Sequence, residues 1–475
     1  MRHGARRREF LLPSGGGIDT AGEGDGRKGC SVTTIERSAE PDLTGAAAPE
    51  LLSAPVRWRI FLYLGVLIVL LAFGAPNGGL IDIPISFFLK NKLHLSAQGV
   101  AAFRLVAGLP LYLSWVFGFV RDTWSPFGMQ DRGFMVLFGL VSAGLYVFFA
   151  FMPVSYASLL VALILLTASF LFVGAAQNGL TAVLGQQHVM SGQISAVWNI
   201  VASLPVMAAL FAGGSLSDLL ETRNANQAAR ILFLVGAAIM AAVAAYGAWK
   251  PRTVFDHVRA ERGAEVHLQD DVKRLVRHWP IYPALLIWLL WNFAPGSATP
   301  LQYYLQNTLH ANDAAYGQWN AIFAASFIPT FLAYGYLCRR YPLRPLLWWG
   351  TVVAVPQMVP LLFIHSVTAA LVAAAPIGLM GGVASAAYMD LIIRSCPRAL
   401  QGTTLMMMWA LYFVAARFGD VLGTVLYDRY GGFTVCVIAI TVVYALILPT
   451  LLLVPKRLIA SADGQALDKG FAEEE

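Results

Sequence analysis

The sequence predicts an all-α membrane protein in which twelve transmembrane helices form two pseudo-symmetric six-helix bundles. Three observations predict this fold: an apolar composition, a series of twelve apolar runs, and a repeat that relates the first run to the seventh. The chain of 475 residues is 57% hydrophobic and 13% charged, and its mean hydropathy is +0.63. Soluble domains carry about 25% charged residues, so we expect a bilayer to surround most of this chain.

The apolar runs have the length that a membrane span requires. A hydrocarbon core of about 30 Å is crossed by a helix of roughly 20 apolar residues. Short polar loops separate twelve such runs after residue 56. In chain order, spans 1 to 12 are predicted near residues 57–88, 96–119, 133–153, 156–186, 193–216, 229–249, 280–304, 313–338, 345–365, 367–393, 401–426 and 432–455.

The basic residues concentrate in alternate loops. One set of loops contains Arg57, Arg59, Arg121, Arg132, the cluster from Lys250 to Arg277, Arg339, Arg340, Arg344, Arg394, Arg398, Lys456 and Arg457. The opposite set contains only Lys90, Lys92, Arg223, Arg230 and Arg429. Positive residues favour the cytoplasmic side, so both termini are predicted to be cytoplasmic in a multi-pass protein of the cell (inner) membrane.

The loops divide the chain into five predicted segments. The first segment is rich in Arg, Gly and Ser and is predicted to be a disordered tail, although a targeting segment remains an alternative. The longest internal loop mixes charged residues with valine and leucine, which is typical of a helix on the inner membrane surface. The segments are a tail at 1–56, a first bundle at 57–249, a linker at 250–279, a second bundle at 280–457 and a tail at 458–475.

An internal repeat relates span 1 to span 7. Span 1 closes with Phe87-Phe88-Leu89-Lys90-Asn91-Lys92-Leu93-His94, and span 7 closes with Tyr303-Tyr304-Leu305-Gln306-Asn307-Thr308-Leu309-His310. The Leu, Asn, Leu and His positions coincide, and both segments open with an aromatic pair. Six helices per repeat keep the two copies in the same orientation. The sequence therefore predicts parallel halves related by an axis along the membrane normal, with a solute site between them.

The loop after span 2 combines a glycine with charged residues at fixed spacing. Gly118 precedes Asp122 by four residues, and Gly128 and Arg132 follow. A glycine permits close helix approach, while an aspartate at a helix end can hold an arginine and a neighbouring helix terminus. We expect Asp122 and Arg132 to form a charge latch on the cytoplasmic side.

This loop resembles the signature loop of the major facilitator superfamily. Its longer spacing, with Phe127-Gly128 before Arg132, is similar to that of the folate–biopterin transporter family. The segment from Phe88 to Ser96 also resembles that family, as does Cys396-Pro397 followed by Thr403. The chain departs from the family pattern at Ser114, where a lysine is usual, and at Met129, Gln130 and Asp131, where the basic cluster is thinner. The resemblance implies the twelve-helix fold and makes pterins or folates candidate substrates.

Four charged residues lie within predicted spans, where a charge is costly and indicates a functional role. They are Asp82, Arg104, Arg417 and Asp420. We expect Arg104 to pair with Asp420 or with Asp82 in an outer gate; the alternative is that Arg417 and Asp420, spaced i and i+3, pair within span 11. Asp390 and Arg394, spaced i and i+4, are predicted to form an inner latch.

Polar and aromatic side chains on the predicted cavity helices suit a flat, hydrogen-bonding organic solute. The alternative for each is a polar contact between helices. The predicted cavity residues are Asn77, Gln177, Asn178, Trp198, Asn199, Asn292, Gln302, Tyr303, Tyr388 and Trp409. Helix breaks in corresponding segments point to the site, and they are predicted at Gly74, Pro76, Gly78 and Gly79 and at Pro295, Gly296 and Pro300.

The sequence contains no P-loop, dinucleotide-binding, HExxH or GxSxG motif, so no enzymatic activity and no cofactor or metal are expected. The basic residues are spread over alternate loops, which argues against a nucleic-acid partner. The expected partners are a small-molecule substrate and the lipid bilayer, and the chain is expected to be a monomer. A symporter coupled to H+ or Na+ is one possibility.

Three functions remain open from the sequence. The leading interpretation is a secondary transporter of a small polar organic solute that works by alternating access. Within transport, the alternatives are an exporter of amphipathic compounds and an importer of sugars or cell-wall fragments. Outside transport, the alternative is a membrane scaffold on the same fold.

Overall fold

The computed structural model describes residues 52–89, 93–94, 103–221, 223–255, 268–311, 313–397 and 399–465. The predicted tail at 1–56 lies outside the described residues except for its last five positions. Of the predicted tail at 458–475, residues 458–465 are described. We call the side that the basic residues predict to be cytoplasmic the inner side.

The first half consists of six spans, of which spans 1 and 2 are built from more than one helix. Span 6 is followed by a short helix, Arg252–Phe255. The helices of spans 1 to 6 are Ala54–Gly74 and Asp82–Phe87, Leu109–Tyr112 and Ser114–Thr123, Asp131–Ala150, Tyr156–Gln187, Ser191–Glu221, and Ala225–Ala248.

The second half repeats this order after the linker helix Leu268–Arg277. Its spans 7 to 12 comprise Ile281–Asn292 with Thr299–Tyr303, Asp313–Arg340, Leu343–Ala354 with the 3-10 turn Val359–Phe363, Val367–Ser395, Gln401–Arg429, and Phe433–Ala445 with Ile447–Leu451. Nine helices among the described residues are long and apolar enough to cross a membrane. Together with spans 2, 5 and 7 they give the predicted set of twelve.

The described residues of the predicted repeat share two backbone features. The amide of Leu93 donates to the carbonyl of Phe88 at 3.0 Å, and the amide of Leu309 donates to the carbonyl of Tyr304 at 3.3 Å. The histidine that follows each of these i to i−5 bonds has a positive φ, 51° at His94 and 54° at His310. These described positions are therefore equivalent in the two halves.

Spans 1 and 7 are interrupted at matching positions, as predicted. Residues 75–81 and 293–298 separate the two helices of each span. Gly78 has φ of 76° and Gly296 has φ of 124°, a region that residues with a side chain rarely adopt. Pro84 and Pro300 lie in the first turns of the helices that follow, where a missing N–H is tolerated.

Small residues set the spacing of helices within each half. A methyl group on Gly139 of span 3 would lie 3.0 Å from the side chain of Ala244 of span 6. A methyl group on Gly378 of span 10 would lie 2.5 Å from the carbonyl oxygen of Phe323 of span 8. Close approach of this kind supplies the van der Waals contact that holds helices together in lipid, where hydrophobic burial gives no driving force.

The sequence predicts a helix on the inner membrane surface within the linker at 250–279. Its described part is the helix Leu268–Arg277, and residues 256–267 lie outside the described residues. The ring nitrogen Nε2 of His278 is 3.1 Å from the carbonyl oxygen of Ser395. The end of the linker is therefore attached to the inner end of span 10.

Candidate functional site

The two halves meet at the inner side through a carboxylate of span 2. One oxygen of Asp122 accepts from the amide of Gly402 at 3.1 Å, and the other accepts from the amide of Thr403 at 2.6 Å and from its hydroxyl at 2.7 Å. These donors are the first turn of span 11, where a helix has unpaired N–H groups and the positive end of its dipole. Asp122 therefore caps a helix of the opposite half.

The arginine that pairs with Asp122 is Arg121, and the predicted pairing with Arg132 is wrong. Arg121 donates to Asp122 at 2.6 Å and, through Nε and Nη2, to both carboxylate oxygens of Asp131. All three side chains are buried. Arg132 instead donates to the carbonyl oxygens of Gly247 and Ala248 at the end of span 6, because it lies one position further round the start of span 3 than Asp131.

Two glycines allow the helices to approach closely at this cluster. A methyl group on Gly118 would lie 2.5 Å from the carbonyl oxygen of Gly402, and one on Gly402 would lie 2.7 Å from the Asp122 carboxylate. The predicted role of Gly118 in close helix approach is therefore consistent with the backbone. Gly128 has φ of 66° in the turn between spans 2 and 3.

A second charged cluster lies at the inner ends of spans 10 and 12. Arg394 donates to Asp390 at 2.8 Å, the predicted i, i+4 pair, and also to Asp463 at 2.8 Å. Asp390 is fully buried and accepts from the hydroxyl of Tyr334 at 2.7 Å. Arg394 also donates to the hydroxyl of Ser191 on span 5, so this cluster too contacts the opposite half. Burial and the neighbouring Asp390 raise the pKa of Asp463 to about 6.

Polar side chains between the two clusters add further hydrogen bonds between the halves. We call the surface along which the two halves meet the seam. The amide of Gln186 on span 4 donates to the carbonyl oxygens of Ile393 and Cys396, and Gln401 donates to Gln186 at 3.1 Å. Ser195 of span 5 donates to the carbonyl oxygen of Ala386 at 2.7 Å. The inner side is closed in this structure.

Three predicted cavity residues meet above this closed region. The indole rings of Trp198 on span 5 and Trp409 on span 11 are 5.5 Å apart between centroids. Asn178 on span 4 lies 3.6 Å from the sulfur of Met406. The side-chain amide oxygen Oδ1 of Asn178 and the indole N–H of Trp198 are buried and have no hydrogen-bond partner within the described part of the chain. We call Asn178, Trp198, Met406 and Trp409 the seam floor.

The other predicted cavity amides bond within their own half. Asn77 donates to the hydroxyl of Thr167 at 2.9 Å and so joins spans 1 and 4. Gln177 donates to Thr181 on its own helix. Asn199 and Asn292 donate to the carbonyl oxygens four residues before them in the chain. Of these four residues, Asn77 makes the contact between helices that the sequence left open as the alternative, and the other three bond within their own helices.

Tyr388 is placed away from the seam, so its prediction as a cavity residue is wrong. It is fully buried, and its hydroxyl is 2.7 Å from that of Thr351 on span 9 of the same half. Its ring packs edge-on against Trp291 at 5.4 Å. Gln302 is half-buried and Tyr303 is exposed at the outer end of span 7, where Tyr303 packs near Tyr427.

The charged residues near the outer side pair within each half. Arg104 donates to Asp82 at 2.7 Å, the second of its two predicted partners. Asp420 caps the second helix of span 7, because its carboxylate accepts from the amide and the hydroxyl of Thr299, each at 2.9 Å. Among the described side chains, no ion pair joins Asp420 to Arg417, which is exposed. The break in span 7 exposes a helix N-terminus within the membrane, and the Asp420 carboxylate lies there to bind it.

Sequence reasoning missed Arg121, Asp131 and Asp463 as parts of the inner clusters. Arg121 was counted only as a loop charge, although it is adjacent to Asp122 and lies on the same helix as Gly118. No signal marked Asp463, because it lies after the last span among residues predicted to form a tail. Ser114, which departs from the family pattern, donates to the carbonyl oxygen of Met406 at 2.8 Å across the seam.

Two helical halves of like topology, joined at the inner side through capped helix termini, define a membrane protein with a two-bundle transporter fold. The sequence of residues 189–423 matches the family model of the Major Facilitator Superfamily. Among solved structures, the fucose:proton symporter FucP of E. coli has a TM-score of 0.63 at 15% identity, covering 83% of this chain and 98% of that chain. The proton:xylose symporter XylE has a TM-score of 0.63 at 12% identity, covering 88% and 100%.

A curated relative, the folate-biopterin transporter of Synechocystis sp., is 25% identical over 287 residues. The match covers 58% of this chain and spans 55% of that relative's length. The chain has the fold of major facilitator superfamily transporters, and its sequence resembles that superfamily and the folate–biopterin transporter family.

Proposed function

We propose that this protein is a secondary active transporter that moves a small polar organic solute across the membrane by alternating access. The observation that carries the proposal is the way in which Asp122 joins the halves. Its carboxylate binds backbone N–H groups at the end of an intact helix, at Gly402 and Thr403. Such a contact can break and reform without unfolding either bundle, which a rigid-body rocking motion requires.

The seam floor is the proposed contact surface for the solute. Asn178 offers a buried acceptor and Trp198 a buried donor, and both atoms lack a partner in the described part of the chain. A buried polar group without a partner costs about 1–3 kcal/mol, which a bound solute relieves by hydrogen bonding. The ring of Trp409 supplies an aromatic face beside Trp198. These groups favour a flat solute with hydrogen-bonding edges over a bare ion.

Pterins and folates are the first candidate substrates, because the curated relative is named a folate-biopterin transporter. Two solved structures with the same fold are named proton symporters for fucose and xylose, so sugars are the second class and H+ is the first coupling ion to test. Placement in the cell membrane with cytoplasmic termini remains the prediction from the charge distribution.

The proposal is tested first by ligand-induced thermal stabilisation. Purified protein is screened against pterins, folates, sugars and muropeptides, and any compound that raises the unfolding temperature is then followed as a labelled solute into proteoliposomes. We expect Asn178→Ala to lower uptake at least tenfold, because it removes the buried acceptor. Asn292→Ala is the matched control, since the Asn292 amide donates to the carbonyl oxygen of Trp288 in its own helix.

Two outcomes oppose the proposal. If no compound is taken up above the level of empty vesicles under either an inward or an outward proton gradient, the result contradicts the transporter proposal and favours the membrane scaffold. If Asn178→Ala and Asn292→Ala reduce uptake equally, the seam floor is not the solute site.

A further inference from the structure

The second half has no aspartate where the first half has Asp122. Gly118 and Gly335 each lie five residues before the end of their helices, Ser114–Thr123 and Asp313–Arg340. Four residues after Gly118 the chain has Asp122, whereas four residues after Gly335 it has Arg339. By local sequence alone, the second half could not cap a helix of the first half.

The corresponding helix terminus is nevertheless capped. The second and third residues of span 11 are Gly402 and Thr403, and those of span 5 are Gly192 and Gln193. The carboxylate of Asp463 accepts from the amide of Gly192 at 3.3 Å and from the amide of Gln193 at 2.9 Å. Asp463 therefore binds the N-terminus of span 5 as Asp122 binds that of span 11.

The segment that carries Asp463, residues 456–465, is held between the two halves. The amide of Asp463 donates to the carbonyl oxygen of Cys338 on span 8 at 2.9 Å, and the amide of Gly464 donates to that of Val189 in the first half at 2.8 Å. Arg394 donates to the carbonyl oxygen of Ser461 at 2.8 Å. Gly464 has φ of 82°, which lets the chain turn directly after the carboxylate. We call residues 456–465 the C-terminal latch.

We propose that Asp463 supplies the gate carboxylate that the second half lacks, so that the C-terminal latch is a working part of the inner gate. The latch holds the inner side closed by capping span 5, and it separates from Gly192 and Gln193 when that side opens. The direction of this motion rests on the alternating-access function proposed above.

The surroundings of Asp463 agree with a contact that breaks and reforms. Asp463 and Asp390 share the single guanidinium of Arg394, and the other titratable groups that face them are Tyr334 and Cys338 of span 8. The cluster thus holds one carboxylate in excess. Burial and Asp390 raise the pKa of Asp463 to about 6, as expected for a charge that is incompletely compensated in this state.

Cys338 is a native reporter of this gate. Its side chain is buried, and its sulfur lies 3.7 Å from the Asp463 carboxylate. Opening of the latch exposes it. We compare maleimide labelling rates in a protein that keeps only Cys338 with those in a protein that keeps only Cys436, which is buried within the second half against the carbonyl oxygen of Gly423. The other cysteines are replaced by serine.

We expect Asp463→Ala to label Cys338 about tenfold faster than Asp463→Asn, because two buried N–H donors lose their acceptor. Both substitutions remove the charge that faces the Cys338 thiol, but Asn keeps an acceptor oxygen for the amides of Gly192 and Gln193. The rate at Cys436 stays unchanged. Asn320→Ala, which removes an amide that donates to the carbonyl oxygen of Tyr316 in its own helix, changes neither rate. Equal acceleration at Cys338 and Cys436 means unfolding rather than gating and overturns the proposal, as do equal Cys338 rates in Asp463→Ala and Asp463→Asn. Neither result depends on transport, so the solute proposal is tested separately.

Discussion

The Asp122 cluster and the C-terminal latch bind equivalent targets with carboxylates from different parts of the chain. Asp122 follows the signature glycine on span 2 and binds the start of span 11. Asp463 follows the last span and binds the start of span 5. In both halves a carboxylate therefore binds the N-terminus of a helix, as the pseudo-symmetry of the fold requires. The two carboxylates do not come from equivalent positions in the chain.

The two contacts also differ in strength. The Asp122 carboxylate accepts four hydrogen bonds, from Arg121, Gly402 and Thr403, while Asp463 accepts three within 3.3 Å, from Arg394, Gly192 and Gln193. Asp122 is fixed by its own helix, whereas Asp463 lies on a turn. We infer that the first contact sets the stability of the closed state and that the second is easier to release.

Removal of the Asp122 carboxylate is the largest expected effect. Asp122→Ala leaves buried donors unpaired and removes a partner of buried Arg121, a change that typically costs about 3–5 kcal/mol. We expect at least a hundredfold faster maleimide labelling of Cys396, the buried thiol near the start of span 11, and a larger effect than that of Asp463→Ala at Cys338. Equal increases in labelling for Asp122→Ala and Asp463→Ala would contradict the inference that the Asp122 contact is the stronger of the two.

The signature glycines give the next largest effect. A methyl group on Gly118 meets a backbone oxygen at 2.5 Å, but one on Gly335 meets only the side chain of Ala196 at 3.2 Å. Gly118→Ala should destabilise the closed state by about 1–3 kcal/mol and Gly335→Ala by less than about 1 kcal/mol. Labelling of Cys396 and Cys338 in the two variants measures both. A Gly335→Ala effect equal to that of Gly118→Ala would contradict the closer packing of the first contact.

The hydroxyl of Thr403 is the part of the Asp122 cluster that the C-terminal latch lacks, since Gln193 stands at the equivalent position. Thr403→Val keeps the backbone bond and removes one hydrogen bond, worth about 0.5–1.5 kcal/mol. We expect about fivefold faster labelling of Cys396. Thr424→Val is the control, because its hydroxyl donates to the carbonyl oxygen of Val421 within span 11 at 2.8 Å.

Dependence on pH is the smallest expected effect and is confined to the C-terminal latch. Burial raises the pKa of Asp463 to about 6 in the closed state, while a solvated aspartate titrates near 3.9. A proton therefore binds the closed state more tightly, so this contribution stabilises closure at low pH and is lost as the pH rises through about 6. From pH 7.5 to 5.5 we expect the closed-to-open ratio to rise about fourfold.

The measurement compares the closed-to-open ratio in the native latch with that in Asp463→Asn at each pH. The ratio is read from the distance between spin labels on the inner ends of spans 5 and 8, because Asp463 contacts the Cys338 thiol and alters its reactivity. Asn at this position does not titrate. A ratio that stays constant over this pH range would show that Asp463 carries no such dependence.

The outer charges illustrate how far local spacing can mislead. Asp420 and Arg417 have the i, i+3 spacing of a helical pair, yet Asp420 binds Thr299 of another span. The reason is the break in span 7, which creates an unpaired helix N-terminus inside the membrane next to Gly419 and Gly423 of span 11. A free N–H in lipid is more costly than a broken surface ion pair, so the carboxylate caps the helix.

The sequence alone determined the helical membrane fold, the spans, the relation of span 1 to span 7 and the helix breaks, because each depends on apolar length or on the backbone preferences of glycine and proline near one position. Only the tertiary structure decided which charge meets which. Arg121 rather than Arg132 reaches Asp122, Tyr388 turns into the second half, and Asp463 returns from the end of the chain to span 5. The longest of those contacts joins residues 270 positions apart, and its geometry depends on how whole helices pack, which no local pattern records.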